Sequence, residues 1–256
     1  MVGKTDSEIG IRPKRDATLG RSVRLFRAFL SEQSDPDHFY QILAADSVRQ
    51  ISEYAPLNGR VVLDVGGGPG YFADAFRAAG ARYLGVDPDV GELSARGAPA
   101  DGMVRASGTE LPVQTGSVDV CYSSNVLEHV ADPVAMLDEM TRVTKPGGVV
   151  FVSFTPWFSP WGGHETAPWH FFGGYYARRR YVRRNGREPK NKFGESLFAL
   201  TIGKALRWAR RTERADTATL VRALPRYHPW WALWIVRVPI LRELASWNLV
   251  LVLHKR

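Results

Sequence analysis

The most informative part of the sequence is Val61-Val62-Leu63-Asp64-Val65-Gly66-Gly67-Gly68-Pro69-Gly70-Tyr71-Phe72. Its apolar, β-branched start is typical of a buried parallel strand. An acid closes the strand, and three glycines with a Pro-Gly pair then predict a tight turn where a ligand can approach bare backbone. A helical pattern follows at once. Strand, glycine loop and helix together indicate the first unit of an α/β domain whose ligand lies over the carboxyl end of the strand.

The spacing of the loop distinguishes between possible ligands. A dinucleotide fingerprint needs glycines at its first, third and sixth positions, but the sixth position counted from Gly66 is Tyr71. The pattern Asp-x-Gly-x-Gly-x-Gly resembles the first motif of class I S-adenosylmethionine (SAM)-dependent methyltransferases. SAM carries an ammonium and a sulfonium and no phosphate, so an acid at the strand end suits it better than a lysine. A structural glycine turn in another α/β protein is the alternative. The resemblance implies that the loop residues that bind the cofactor are Asp64, Gly66, Gly67, Gly68 and Gly70.

An acid also ends the next predicted strand, 82–87. Asp87 follows Asp64 by 23 residues, close to the offset of about 20 at which an acid reaches a ribose diol in nucleotide folds. The resemblance implies the same role for Asp87, with Pro88 beside it. After the third predicted strand, 102–107, the family often has an aspartate that contacts the adenine amino group. This chain has Ser107 there, so its hydroxyl or a backbone carbonyl is expected to take that place, next to Gly108.

The fourth predicted strand, 117–125, ends in small polar residues, of which Ser123 and Asn125 are expected to border the cofactor. The chain continues as Val126-Leu127-Glu128-His129-Val130, and this run, with Leu111-Pro112 before it, resembles the branch that includes ubiquinone and menaquinone methyltransferases. A helix is then predicted from Asp132-Pro133 to Lys145, and a fifth strand from Val149 to Thr155. The resemblance is continuous from Asp64 to Thr155.

The alternation of strands and helices predicts a parallel sheet with right-handed crossovers. The resemblance implies an α/β, Rossmann-like fold with a seven-stranded, mostly parallel sheet, helices on both faces and an antiparallel C-terminal strand. We expect the last two strands at 219–227 and 248–254, on either side of an apolar helical stretch at 229–246. One domain is predicted, composed of an N-terminal helical lid (1–55), the SAM-binding core (56–155), a substrate cap inserted after strand 5 (156–200) and a segment that completes the sheet (201–256).

The lid is predicted from a helix start at Asp35-Pro36-Asp37, with the helix running to Glu53. Related methyltransferases often cover the cofactor with such helices, so Tyr40 is a candidate for the cofactor cleft. Packing in the core is its alternative role. Residues 1–20 are polar and basic and are expected to be loose.

Charge divides the chain into two parts. The net charge is +8, but residues 61–150 carry −6 and residues 151–256 carry +13, and all eight tryptophans follow residue 156. Eight basic residues and one acid lie in 178–192, a run that suits an anionic partner or membrane surface. The single cysteine, Cys121, excludes an internal disulfide framework. No secretion signal is recognised, and a cytoplasmic protein is expected, with peripheral contact at the inner membrane surface as an option.

The chemistry is expected from histidines near the cleft. His129 follows the fourth strand, and His164-Glu165 lies in the cap between glycine pairs, with His170 nearby. Histidine has a suitable pKa to act as the base for a hydroxyl nucleophile. His164 is the predicted base, Glu165 is expected to orient it or to contact substrate, and His129 is a further catalytic candidate. A metal site built from His164, Glu165 and His170 lacks His-Glu-x-x-His spacing, so the sequence does not require a metal.

These features predict a methyltransferase that uses SAM, releases S-adenosylhomocysteine and acts on a hydroxyl of a small-molecule, lipid or glycan acceptor. A nucleic-acid methyltransferase is the first alternative, suggested by the basic C-terminal part. Against nucleic acid, the fourth strand ends in Ser123-Ser124-Asn125-Val126 and not in the Asp/Asn-Pro-Pro-aromatic signature for base amines. A non-catalytic SAM-binding or membrane-docking module is the second alternative.

Overall fold

The computed structural model describes residues 17–31 and 34–256. In these residues seven strands form one sheet: β1 (Val61–Val65), β2 (Arg82–Asp87), β3 (Met103–Arg105), β4 (Val118–Ser124), β5 (Thr144–Phe154), β6 (Ala218–Pro225) and β7 (Leu249–Lys255). Their order across the sheet is β3-β2-β1-β4-β5-β7-β6. The first five strands pair in parallel, and β7 is antiparallel to both β5 and β6. The predicted Rossmann-like fold class is confirmed.

Helices cover both faces of this sheet, because its central strands are apolar on both sides. They are α1 (Leu19–Leu30), α2 (Pro36–Ile51), α3 (Ala73–Ala78), α4 (Val90–Leu93), α5 (Pro133–Val143), α6 (Gly174–Asn185), α7 (Ile202–Arg214) and α8 (Pro239–Ala245). One core joins α1, α2 and α3 to strand residues such as Val62 and Val120. The other joins α5 and α7 to the alternate residues, such as Leu63 and Cys121.

The order of the strands fixes where a ligand can bind. The chain moves outward from β1 to β3 and then returns to place β4 on the other side of β1. In open α/β sheets, ligands bind beyond the carboxyl ends of the strands at such a reversal. The end of β1 carries the glycine loop, and the end of β4 leads into a short 3₁₀ helix, Leu127–His129.

Two local features differ from the sequence-based expectation. The fifth strand was expected from Val149, but β5 begins at Thr144 because Val118 pairs with Thr144 and Val120 with Val149, so the residues between them bulge out of the ladder. Gly147, at φ +77°, allows that excursion. The amphipathic helix α7 was not predicted, although its buried residues recur with helical spacing.

A buried arginine network ties the lid helices to the sheet. Arg226 is fully buried after β6 and donates to the hydroxyls of Ser47 in α2 and of Ser124 and Ser153 at the strand ends. Arg21 of α1 donates to the Arg226 carbonyl oxygen and pairs with Asp46 of α2 at 2.6 Å. Burial opposes ionisation of Asp46, but the Arg21 guanidinium holds the pKa of that carboxyl below its usual value. Helices α1 and α2 are therefore a fixed part of the fold.

The apolar stretch at 229–246 forms a 3₁₀ helix, Trp230–Arg237, followed by α8. Trp230, Trp231 and Trp234 are each about half exposed, so these rings do not serve the core. In the described ranges, no helix has the length and apolar character needed to cross a bilayer. Residues 1–20 were expected to be loose. Residues 1–16 lie outside the described residues, and α1 begins at Leu19, within the remaining part of that range.

Candidate active site

The glycine loop after β1 is joined to the end of β2 by backbone hydrogen bonds. The amides of Gly66 and Gly67 both donate to the Val86 carbonyl oxygen, at 2.8 and 3.1 Å. Gly66 has φ +81°, and a Cβ there would overlap the Val126 side chain at the end of β4. A Cβ on Gly68 would meet nothing within 4 Å. The loop therefore forms an open cradle of bare backbone.

Asp64 lies beneath this cradle and is fully buried. Its Oδ2 accepts from the Tyr83 hydroxyl at 2.7 Å, while Oδ1 has no hydrogen-bond partner among the described residues. Burial raises the pKa of the Asp64 carboxyl to about 7. An unpaired buried carboxylate oxygen is costly, so the site fits a ligand that supplies positive charge or a hydrogen-bond donor.

Asp87 connects the second strand to the loop. Its Oδ2 accepts from the Gly68 amide at 3.0 Å, and its Oδ1 accepts from the Asp89 amide at 2.9 Å. Burial raises the pKa of Asp87. Each oxygen keeps a lone pair after these contacts, which suits the predicted ribose diol. Pro88 beside it is exposed, and its carbonyl oxygen accepts from Arg105 at 3.3 Å.

The other residues predicted for the cofactor have different surroundings. Ser107 is exposed with its hydroxyl 2.8 Å from that of Thr109. A Cβ on Gly108 would press against Val65, so glycine is needed for that close approach. The Ser123 hydroxyl is buried and donates to the Val65 carbonyl oxygen at 2.7 Å. Asn125, at φ +57°, accepts from Asn248 at 2.7 Å.

Lid and cap both reach the glycine-loop side of the sheet. The Tyr40 ring of α2 stacks on Tyr71 at the end of the loop, with centroids 4.3 Å apart and an interplanar angle of 16°. Asp37 of α2 pairs with Arg96 at 3.1 Å. From the cap, Lys190 pairs with Glu92 of α4, also at 3.1 Å. These contacts bring α2 and the cap to the segment that follows β2.

A cluster of three side chains stands beyond the end of β4. The rings of His129 and His164 lie 5.0 Å apart. Glu128 joins them, and one potential ligand atom from each residue lies within 4.8 Å of the others. Glu128 is buried; its Oε1 accepts from the Thr155 amide at 2.9 Å, and its Oε2 has no partner among the described residues. Burial raises the pKa of this carboxyl.

The two histidines have defined states. His129 Nδ1 lies 2.7 Å from the Ser196 carbonyl oxygen. Because a carbonyl only accepts, Nδ1 carries the proton, and a neutral ring then has its lone pair on Nε2. His164 stands at φ +47° with a buried Nε2 that has no partner within the described chain. Burial first, and then the neighbouring His129, lower the pKa of His164 to about 3, so it is neutral at pH 7.

Glu165 and His170 are directed elsewhere. The Glu165 carboxylate accepts from the side-chain amide of Asn191 at 3.1 and 3.2 Å, so it does not orient His164 as expected. His170 is buried with Nε2 3.1 Å from the Ser159 carbonyl oxygen, and its ring packs where a Cβ on Gly163 would stand. His164, Glu165 and His170 therefore do not form a common site. His164 instead lies next to His129, just beyond the end of β4.

Sequence reasoning missed Glu128 as a site residue. It stood in the run that resembles quinone methyltransferases, next to His129, but nothing local showed that it would be buried. Its burial depends on contacts far along the chain, since the Phe198 amide donates to the Glu128 carbonyl oxygen and Thr155 donates to its side chain. The signal in the sequence that could have indicated a site residue was a carboxylate within an otherwise apolar turn.

Comparison with known proteins adds family evidence. Residues 63–152 match the sequence model of a family described as a methyltransferase domain. An uncharacterized methyltransferase of Mycobacteroides abscessus is 52% identical over 253 residues, covering 94% of this chain and 96% of the relative. An uncharacterized methyltransferase of Mycolicibacterium gilvum is 52% identical over 249 residues, covering 93% and 95%.

Solved structures share the fold at low sequence identity. A SAM-dependent methyltransferase from Mesorhizobium loti aligns with a TM-score of 0.54 and 19% identity, covering 82% of this chain and 96% of that one. The magnesium protoporphyrin IX methyltransferase of Synechocystis, solved with bound S-adenosylhomocysteine, aligns with a TM-score of 0.52 and 14% identity, covering 89% and 88%.

Proposed function

Since this chain belongs to the class I SAM-dependent methyltransferases, we propose that it methylates a hydroxyl of a small-molecule, lipid or glycan acceptor. SAM is its cofactor and supplies an electrophilic methyl group on a sulfonium. The observation that carries the choice of a hydroxyl is the meeting of His129 and His164 with Glu128 beyond the end of β4.

The cofactor is held by the residues at the ends of β1 and β2. Asp64 offers its unpaired Oδ1 beneath the glycine loop. Asp87 offers the remaining lone pairs of a carboxylate that the Gly68 amide already fixes in place. Tyr40, stacked on Tyr71, covers the loop from the lid side. These groups bind and orient the cofactor and exclude water.

The cluster acts on the acceptor. A hydroxyl is a weak nucleophile, and a positioned base whose lone pair accepts its proton as the oxygen attacks the methyl group accelerates reactions of this kind by about 10²- to 10⁴-fold. His129 Nε2 provides such a lone pair, because the Ser196 carbonyl oxygen fixes the proton on Nδ1. His164, neutral because of its burial, provides a second one. Val126, which packs over Gly66, links this cluster to the cofactor loop.

The surface of the cap favours an amphipathic, anionic acceptor. Phe172, just before the arginine-rich helix α6, is 74% exposed, and Tyr175, in the first turn of α6, is 60% exposed. The Arg180 guanidinium lies 3.8 Å from the centroid of the Trp169 ring. Aromatic rings and arginines at one surface are typical of contact with an anionic lipid interface. We therefore propose peripheral contact with the cytoplasmic face of a membrane, which should appear as binding to anionic but not to neutral vesicles.

The proposed function is tested by separating cofactor binding from turnover. We expect His129→Ala to keep its affinity for SAM within about twofold in calorimetric titration and to lose about 10²-fold or more in methyl transfer to a hydroxyl acceptor. Asp87→Ala is the matched variant for the other half of the site and should lose SAM binding itself. Methylation only of amines or carbon acids, or full turnover by His129→Ala, would contradict the proposal.

A further inference from the structure

We propose that Glu128, His129 and His164 form a binding site for one divalent transition-metal ion. The three residues come from two distant segments, the 3₁₀ helix after β4 and the cap. Their potential ligand atoms already lie within 4.8 Å of one another. Bonds of about 2.0 to 2.2 Å from nitrogen and carboxylate oxygen to a common ion would draw these atoms closer together than they stand here.

The unmatched atoms of the cluster point to a ligand. Glu128 Oε2 and His164 Nε2 are both buried, and neither has a hydrogen-bond partner in the part of the chain that the structure describes. Buried polar atoms are nearly always paired, and an unpaired one costs about 1 to 3 kcal/mol. When Nδ1 carries the His164 proton, Nε2 offers a lone pair, as the ionised Glu128 carboxylate does. A cation between them would satisfy both.

The surroundings of the cluster match those of a metal site. Metal-binding histidines usually donate the other ring N–H to a carbonyl or carboxylate, which fixes the tautomer and the ring. His129 does so through Nδ1 to the Ser196 carbonyl oxygen, leaving Nε2 for the ion. The carboxylate of Glu128 is held in turn by the Thr155 amide at its other oxygen. Both partners are backbone groups, so they are fixed by the fold.

The donor set selects the class of metal. Two imidazoles with one carboxylate suit zinc, iron and related first-row ions, whereas magnesium and calcium prefer oxygen ligands. Three protein ligands leave coordination positions open. If the proposed function holds, an acceptor hydroxyl or a pair of neighbouring hydroxyls would take those positions, and the ion would make the bound hydroxyl more acidic.

The site is tested directly by metal binding. Untagged protein, stripped with a chelator, should bind one Co²⁺ per chain in a titration followed by visible absorption, and Zn²⁺ should displace it. Mg²⁺ should bind more weakly than either. We expect Glu128→Gln and His164→Asn to lower the Co²⁺ affinity by at least about 100-fold, since loss of an outer partner alone costs 10- to 100-fold. Glu110→Gln and His38→Asn, the same substitutions at exposed positions, should bind like the wild type.

The outcomes separate this site from the proposed function. A variant that binds S-adenosylhomocysteine is folded. If Glu128→Gln does not fold, His164→Asn, at a partly exposed position, still tests the site. Wild-type protein without Co²⁺ or Zn²⁺ binding, or cluster variants that bind normally, would overturn the metal site. Hydroxyl methylation that depends on His129 without any metal would leave the proposed function standing. Metal binding without methylation of any hydroxyl would support the site and remove its proposed role.

Discussion

The proposed cofactor site and the proposed acceptor site, which we call the cofactor half and the acceptor half, are built in different ways. The cofactor half uses backbone and acids at the ends of adjacent strands, and, apart from Tyr40 of α2, its residues lie within a short part of the chain, from Asp64 to Asn125. The acceptor half uses side chains that meet only when the cap folds back on the end of β4, so that His164 reaches His129 across 35 residues. Strand order therefore defines the first half, and long-range packing defines the second.

The sharpest test of the cofactor half is Gly66→Ala. At φ +81° an alanine costs about 1 to 2 kcal/mol, and its Cβ would also collide with Val126, where overpacking costs about 1 to 3 kcal/mol more. We expect a clearly lower denaturation midpoint and at least about 100-fold weaker SAM binding. Gly59→Ala is the matched control, because Gly59 has φ +73° with nothing within 4 Å of its Cβ position. If both variants bound SAM normally, the cradle would not depend on this close approach.

This contrast also explains what could be predicted from the sequence. Asp64 and Asp87 were predicted to contact the cofactor because each lies at the end of an apolar strand, and parallel strands bring their ends together whatever the rest of the chain does. Glu128 was missed because its burial requires Thr155 and Phe198, which no local pattern connects to it. The pairing of His164 with Glu165 was inferred from adjacency, yet neighbouring side chains in a tight turn point apart, and Glu165 binds Asn191 instead.

The misplacement of β5 and the omission of α7 have simpler causes. Lys145-Pro146-Gly147-Gly148 has the composition of a turn, so it was interpreted as a break, whereas in the structure it is a bulge within one long strand. Helix α7 lies in the segment 201–256, which was assigned only to the last two strands and the apolar stretch between them. Its apolar residues nevertheless repeat every three to four positions, and the periodic pattern was available before the structure.

A second prediction concerns the charge buried in the cofactor half. The pKa of Asp64 is raised to about 7 in the folded protein, against about 3.9 in the unfolded chain. The folded state therefore binds more protons between these values, and its stability should fall as pH rises from about 4 to about 7, by at most about 1.4 kcal/mol per pH unit from this group. Above pH 7 the contribution is constant.

Asp64→Asn should remove this part of the pH dependence. Unfolding free energies measured by urea titration at pH 5, 6, 7 and 8 should show the variant gaining on the wild type as the pH rises, with no further gain above pH 7. Asp74→Asn, at an exposed position in α3, is the matched control and should run parallel to the wild type. If the unfolding free energy of Asp64→Asn also ran parallel to that of the wild type across this pH range, the Asp64 carboxylate would be ionised in the folded protein.

The weakest expected effect lies where the two halves meet. Lys190 of the cap pairs with Glu92 of α4 at 3.1 Å, but both side chains are largely exposed, and such pairs contribute about 0.2 to 1 kcal/mol that salt screens further. Lys190→Ala should change the melting temperature only slightly and turnover by less than about twofold at physiological ionic strength. A loss of turnover comparable to that of His129→Ala, persisting in high salt, would show that the cap is held over the cofactor half by this contact. We expect the cap to be held instead by the hydrogen bond from the Phe198 amide to the carbonyl oxygen of the buried Glu128, which salt screens less.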